Sequence, residues 1–374
     1  MQRANKHTSF GLVTVSLVLA GMLAGCGGGM RTPTIAINLT EAGYDTPDGM
    51  VNDKDGSVIL SMLNLNQADK PAMLLRITCT DGKYSLTKIT DLPDCPETGK
   101  GAAPLGVAVA EDGNLYVADN QTFVESEKKN VSRLLRVVMK DGKAVKVEPV
   151  VIGFQMSNAV SCHKGCVYVT ETMIDAGNWP LTSGVYRFKI SELQGAEPIK
   201  IKTDGTDEHI IAKLTTFNTE WAVGANGMGF TPCGCCLYVC NFGDGELLKF
   251  KLDPETGKAV SRTIVAQLDG MQSTDGMKVC PETGDIFIAD FLANAIHKVC
   301  PKSGEVTTLA QNDLTDGKGG ALDKPSEVCL FDGKVLVSNI DLNLHGNTSD
   351  APQTISVIDL GCRCPLGCCK LFGR

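Results

Sequence analysis

Apolar residues along this chain come in short bursts broken by Gly, Asp, Asn and Pro, and one succession of bursts returns at a period of roughly 50 to 70 residues. Each unit opens on a small polar motif that runs into an apolar strand. A tight turn follows, then a second apolar strand that ends on a polar residue. The six openings are Pro47-Asp48-Gly49-Met50-Val51, Pro104-Leu105-Gly106-Val107, Ser157-Asn158-Ala159-Val160, Ala225-Asn226-Gly227-Met228, Thr274-Asp275-Gly276-Met277 and Pro325-Ser326-Glu327-Val328. The second strand of the first unit is Val58-Ile59-Leu60, and those of the other five end on the polar residues Asp119, Glu171, Asn241, Asp290 and Asn339. Third strands such as Leu74–Ile77, Leu134–Val137 and Leu247–Phe250 follow, and a fourth such as Val306–Leu309 completes the unit.

Four antiparallel strands repeated six times predict an all-β fold, a six-bladed β-propeller. The last unit stops after its third strand, Thr354–Ile358, while Thr34–Leu39 precedes the first unit with no blade of its own. The expectation is that this amino-terminal segment supplies the missing outer strand and closes the ring, leaving no unpaired edge. Inserts such as Asp204–Trp221 are expected to be loops between blades.

Composition narrows the partners. The net charge is -8 and no basic block is visible, which argues against nucleic acid. There is no G-x-S-x-G elbow, no P-loop and no Cys-x-x-Cys-His. The histidines His7, His163, His209, His297 and His345 show no metal-ligand spacing.

In propeller geometry the residue that begins each innermost strand rims one mouth of the central channel, here called the top. Those residues are Asp48, Leu105, Asn158, Asn226, Asp275 and Ser326. A second ring is expected from the strand ends Asp119, Glu171, Asn241, Asp290 and Asn339. Carboxylates and amides converging on one mouth suit a hard divalent cation. The plainer reading is that Asp-Gly and Asn-Gly are ordinary turn dipeptides.

The segments Asn158–Met173, Asn226–Asn241 and Asp275–Val299 resemble the senescence marker protein (regucalcin), gluconolactonase and luciferin-regenerating enzyme family. The resemblance implies one divalent metal ion held by Asp48, Asn158, Asn226 and Asp275, calcium first, with zinc, manganese and magnesium as alternatives. It implies hydrolysis of a lactone or related ester, with Asp275 as general base. Departures are plain: the family glutamate is Asp48, its Asn-Asp-Gly is Asn158-Ala159-Val160, and a substrate-binding arginine is Met156, which points to a more apolar substrate. Two alternatives share the architecture: a non-catalytic NHL-like propeller that binds a protein or glycan, and a strictosidine-synthase-like enzyme.

The amino terminus reads as an export signal. Arg3 and Lys6 precede the apolar run Phe10–Met22, and Leu23-Ala24-Gly25-Cys26 resembles the bacterial lipoprotein processing box. The expected organisation is a signal peptide over 1–25, a tether over 26–33, the propeller over 34–361 and a cysteine-rich tail over 362–374. Lipidation of Cys26 would anchor the protein to a membrane of the bacterial cell envelope, facing the periplasm or on the outer membrane. Of the 16 cysteines, most fall at turns on the bottom face. Disulfides are the expected state of an exported protein. Cys162 with Cys166 is one candidate pair, and the tail cysteines Cys362, Cys364, Cys368 and Cys369 are expected to bridge to blade turns.

Overall fold

Every second strand is a near-continuous apolar run, and in the fold each is buried along its length, but for Lys334 at the start of the sixth, because it is covered on both sheet faces by neighbouring blades. The computed structural model describes residues 29–67, 69–267 and 271–361, and shows an all-β ring of six antiparallel blades. Blade one is Pro47–Asn52, Val58–Met62, Met73–Thr80 and Lys83–Asp91, from the axis outward. The outermost strand Lys83–Asp91 alternates exposed and half-buried residues, as an edge with one wet face should.

The core lies between blades rather than at one centre. One cluster joins Tyr168, Val185 and Leu214 of blade three to Leu237, Val239 and Phe250 of blade four. Another joins blade six to blade one, through Leu336, Ile355 and Val357 against Met50, Leu60 and Leu75. The ring closes as the sequence predicts. Thr34–Asn38 pairs antiparallel with Thr354–Asp359 and becomes the outer strand of blade six. The chain is already held before that strand, since the Arg31 backbone N–H donates to the Leu309 carbonyl at 2.7 Å.

Two expectations are corrected. The stretch Asp204–Trp221 is not all loop, because Ile210–Thr216 is the outer strand of blade three. Ile199–Lys200 adds a fifth, parallel strand to blade two against Val151 and Ile152. The candidate pair Cys162 and Cys166 also fails to form. Cys162 lies opposite Val167 and Cys166 opposite His163, so the two side chains leave opposite faces of the hairpin. One disulfide, Cys233–Cys235, closes among the described residues. Cys26 and the four tail cysteines lie outside the described residues, as do the signal peptide and the whole of the tail. Among the described residues no helix is long and apolar enough to cross a membrane.

Candidate metal centre at the channel mouth

In five of the six blades the residue that opens the innermost strand sits in a break of the ladder, while in blade five Asp275 lies just before the strand Met277–Val279. Pairing skips between Pro47 and Met50, Pro104 and Val107, Ser157 and Val160, Ala225 and Met228, and Pro325 and Glu327. Such bulges turn a side chain out of the regular alternation. Asp48, Asn158 and Asn226 all occupy this position. Their one-residue excess over the partner strand is what the short Asp-Gly, Asn-Ala and Asn-Gly motifs encode.

Consecutive bulges are stitched to one another around the axis. The Gly227 N–H donates to the Asp275 carbonyl at 3.2 Å, and the Gly276 N–H donates to that of Ser326 at 2.8 Å. Ser338 Oγ donates to the Asp48 carbonyl at 2.6 Å, and Ser61 Oγ to that of Leu105 at 2.6 Å. The small residue of the motif makes this approach possible. A Cβ on Gly227 would stand 2.4 Å from the Asp275 carbonyl oxygen, and one on Gly106 2.7 Å from Asn158 O. Blades two to three and four to five to six to one to two are therefore in backbone contact at the mouth, which draws their leading side chains towards one axis.

The electrostatics show which of these side chains face each other. Burial pushes the Asp48 carboxyl up to about 7; a hydrogen bond from Ser326 opposes that rise, the Glu327 carboxylate adds to it, and Lys278 opposes it. The Asp275 carboxyl is also raised well above the usual range, by burial first, then by the charges of Asp48 and Glu327, against a hydrogen bond with Asn226. Asp48, Asn226, Asp275 and Glu327 therefore share one site. Asn158 takes the equivalent bulge in blade three, half-buried beside Gly106.

Two of these residues do not follow from the opening positions alone. Glu327 fills the slot that the other five motifs give to Gly or Ala, and Lys278 comes one place deeper in blade five. They form an ion pair at 3.1 Å in the channel. The signal was the one exception to the small-residue rule in the six aligned motifs.

The second ring is placed inside the blades and anchors the segments that lead to the mouth. Asp119 accepts from the Ala103 N–H at 2.8 Å and pairs with Arg133. Glu171 accepts from the Gln155 and Met156 N–H groups at 2.7 and 2.8 Å. Asp290 accepts from Gln272 and Ser273 N–H at 2.7 and 3.0 Å, and Asn339 from Asp323 N–H at 3.1 Å. Asn241 accepts from Thr216 Oγ1 at 2.7 Å and donates to the Thr215 carbonyl. Asp119, Glu171, Asp290 and Asn339 tie down the strand entry a few residues before a mouth residue, and Asn241 holds the end of the outer strand of blade three, so their oxygens are committed to the scaffold.

Apolar side chains roof the same face. Phe242, Phe291, Leu292 and Ile340 pack into one buried cluster with Phe123, Trp221 and Leu342. These residues belong to blades two, four, five and six, so the cluster links the top-face loops of four blades. Trp179, in contrast, is half exposed.

No protein-family model and no curated protein matches the sequence. Solved structures do match. Luciferin-regenerating enzyme superposes with a TM-score of 0.57 at 15% identity, over 90% of this chain and 98% of its own. A gluconolactonase from Xanthomonas campestris gives 0.53 at 14%, over 89% and 96%. A calcium-binding regucalcin from Agrobacterium tumefaciens gives 0.51 at 13%, over 88% and 93%. The chain is thus a six-bladed β-propeller with the architecture of luciferin-regenerating enzyme, gluconolactonase and regucalcin.

Proposed function

We propose that the protein is a divalent-metal-dependent hydrolase of an apolar lactone or related ester, anchored to the cell envelope through a lipid on Cys26. The observation that carries the reading is the pair Asp48 and Asp275, two carboxyls raised by burial, that of Asp275 also by the charge of Asp48, in a site that also holds Asn226. Like charges brought together under burial are a standing cost unless a cation or protons occupy the site. A set of carboxylate and amide oxygens fits a hard cation such as calcium. Asp48, Asn158, Asn226 and Asp275 would hold it, and when bound it would supply Lewis-acid polarisation of the ester carbonyl.

The chain's own groups then have distinct tasks. Asp275, with its raised affinity for protons, takes a proton from the attacking water as that oxygen bonds to the carbonyl carbon. When the ester C–O bond breaks, the same proton passes to the leaving oxygen. Asn226 orients the Asp275 carboxyl through their hydrogen bond. Lys278 neutralises Glu327, which keeps a third negative charge from overloading the site. The roof of Phe242, Phe291 and Trp221 excludes water and matches an apolar acyl or alcohol part, in keeping with Met156 where an arginine would anchor a sugar acid.

The test is metal analysis of the purified protein and turnover of a lactone panel with and without chelator. Hydrolysis that is lost on chelation and restored by calcium, manganese, zinc or magnesium is expected. Failure of every lactone with every metal would leave the propeller a binding module. The same titrations should depend on pH in a defined sense. Because Asp48 gains a proton as pH falls through about 7, and Asp275 also holds protons more tightly than an ordinary carboxyl, a cation must displace them, and the dissociation constant should rise by at least about tenfold per pH unit below 7. A dissociation constant flat from pH 8 to 5.5 would exclude Asp48 as a ligand. For the anchor, cells grown with labelled palmitate should label the wild-type chain, and Cys26→Ala should remove the label; equal labelling of both would exclude Cys26.

A further inference from the structure

A second group of carboxylates gathers on the top face, away from the four mouth residues. Asp323 precedes the innermost strand of blade six, Asp341 follows its second strand, and Asp350 lies in the loop leading to its third. One oxygen of each lies within 4.8 Å of the other two. The groups that act on Asp48 are Ser326, Glu327 and Lys278, none of them a member of this trio.

Proximity of acidic groups alone is common on loops, but here two further features point to a missing cation. Asp323 is only 2% exposed, and its Oδ1 is buried with no hydrogen-bond donor, the contacts of its carboxyl being with Asn347 and Asp341. A buried carboxylate oxygen without a donor is rare in a folded protein unless a bound group completes it. The adjacent cation does not complete it: Lys324 holds its Nζ over the Phe291 ring at 5.2 Å, itself without a hydrogen-bond partner. Asp341, meanwhile, is fixed in place. It accepts from Asn347 Nδ2 at 2.7 Å, from the Asp350 N–H at 3.0 Å and from Gln353 Nε2. Three carboxylates less one neighbouring ammonium leave the charge that a divalent ion balances.

We propose that Asp323, Asp341 and Asp350 form a second divalent-cation site, of calcium type, that fastens the blade-six loop over the top face. That loop is a wall of the molecule's top surface. Asp341 lines a cavity of about 240 Å³ together with Leu65, Phe123, Leu342 and Leu344. His345, in the same loop, packs edge-on against Trp221 at 5.1 Å between ring centroids. With three protein carboxylates and water completing the shell, the affinity belongs to the weak class, a dissociation constant of about 10⁻⁴–10⁻³ M.

The contact between Trp221 and this loop supplies the readout. Terbium(III) added to the chelator-treated full chain, with excitation of tryptophan, should give sensitised emission that calcium competes away. Asp350→Asn, an exposed position that leaves the core untouched, should weaken terbium binding at least tenfold; Asp323→Asn should do the same, and Trp221→Phe should remove the emission. Asp275→Asn should leave this emission in place, which separates the second site from the mouth. Emission that survives Asp350→Asn and Asp323→Asn unchanged, or that disappears in Asp275→Asn alone, would place the ion at the mouth and overturn the proposal. A wild-type chain with no calcium-competed emission would overturn it as well.

Discussion

Asp275→Asn is expected to lower kcat/KM for lactone hydrolysis by about 10³-fold, close to 4 kcal/mol of transition-state stabilisation. The substitution keeps volume and a hydrogen-bonding group but removes the proton acceptor and one ligand charge. Loss of the base alone accounts for about 10²–10⁴. The same change should make the metal-free protein more stable. Asp275 shares a buried site with Asp48 and Glu327, and all three carboxyls are raised. Removing the Asp275 charge relieves its repulsion with Asp48, so at pH 8 in chelator the variant should unfold at a higher temperature than wild type. Calcium should reverse that order, because it stabilises the wild type by mass action and the variant less. Hydrolysis undiminished in the variant would remove Asp275 as base. A variant less stable than wild type in chelator would show that the mouth carboxyls do not repel each other.

Why some of this was visible in the sequence and some not follows from how each feature is encoded. The blades repeat, so six short openings and six buried second strands could be aligned with one another. The orphan strand Thr34–Asn38 and the incomplete sixth unit then implied each other. Blade three broke the rule because its outer strand, Ile210–Thr216, comes after a long insert whose own Ile199–Lys200 pairs with blade two instead. The mouth residues were legible because a bulge needs a recurring small residue beside the polar one. Glu327 was legible only as an exception to that pattern, and its partner Lys278 had no pattern at all. The second ring shows the limit of register. Asp119, Glu171 and Asp290 repeat as faithfully as Asp48 and Asp275, yet their oxygens take backbone N–H groups of the strand entries. A repeat position says which end of a strand a carboxylate occupies, not whether it turns to the axis or to the loop beside it. The trio Asp323, Asp341 and Asp350 has no repeat, and only folding of the blade-six loops brings it together.

Removing the closing strand should have the largest effect on the fold itself. Thr34–Asn38 supplies the outer edge of blade six, and Ile37, only 8% exposed, packs in the cluster that joins blades six and one. Its partner across the ladder is Ile355, itself fully buried. Without the strand, Thr354–Asp359 becomes an open edge, Ile355 and Val357 meet water, and the seam between first and last blades loses its cover. Ile37→Ala should cost about 2–5 kcal/mol, the range for a buried isoleucine truncated in a packed core. Ile37→Asp adds an unpaired buried charge and should exceed that. Against a typical domain stability of about 5–15 kcal/mol, the second variant is expected to lose most of its margin. A chain lacking residues 30–38 should be open at the seam, cleaved early by protease near blade six and prone to associate through the exposed edge. Denaturant titration of the two point variants and limited proteolysis of the truncated chain measure these outcomes. A truncated chain that unfolds at the wild-type midpoint would show that the ring holds without its closure, and that the contacts between blades, not the shared sixth blade, carry the cooperativity of the fold.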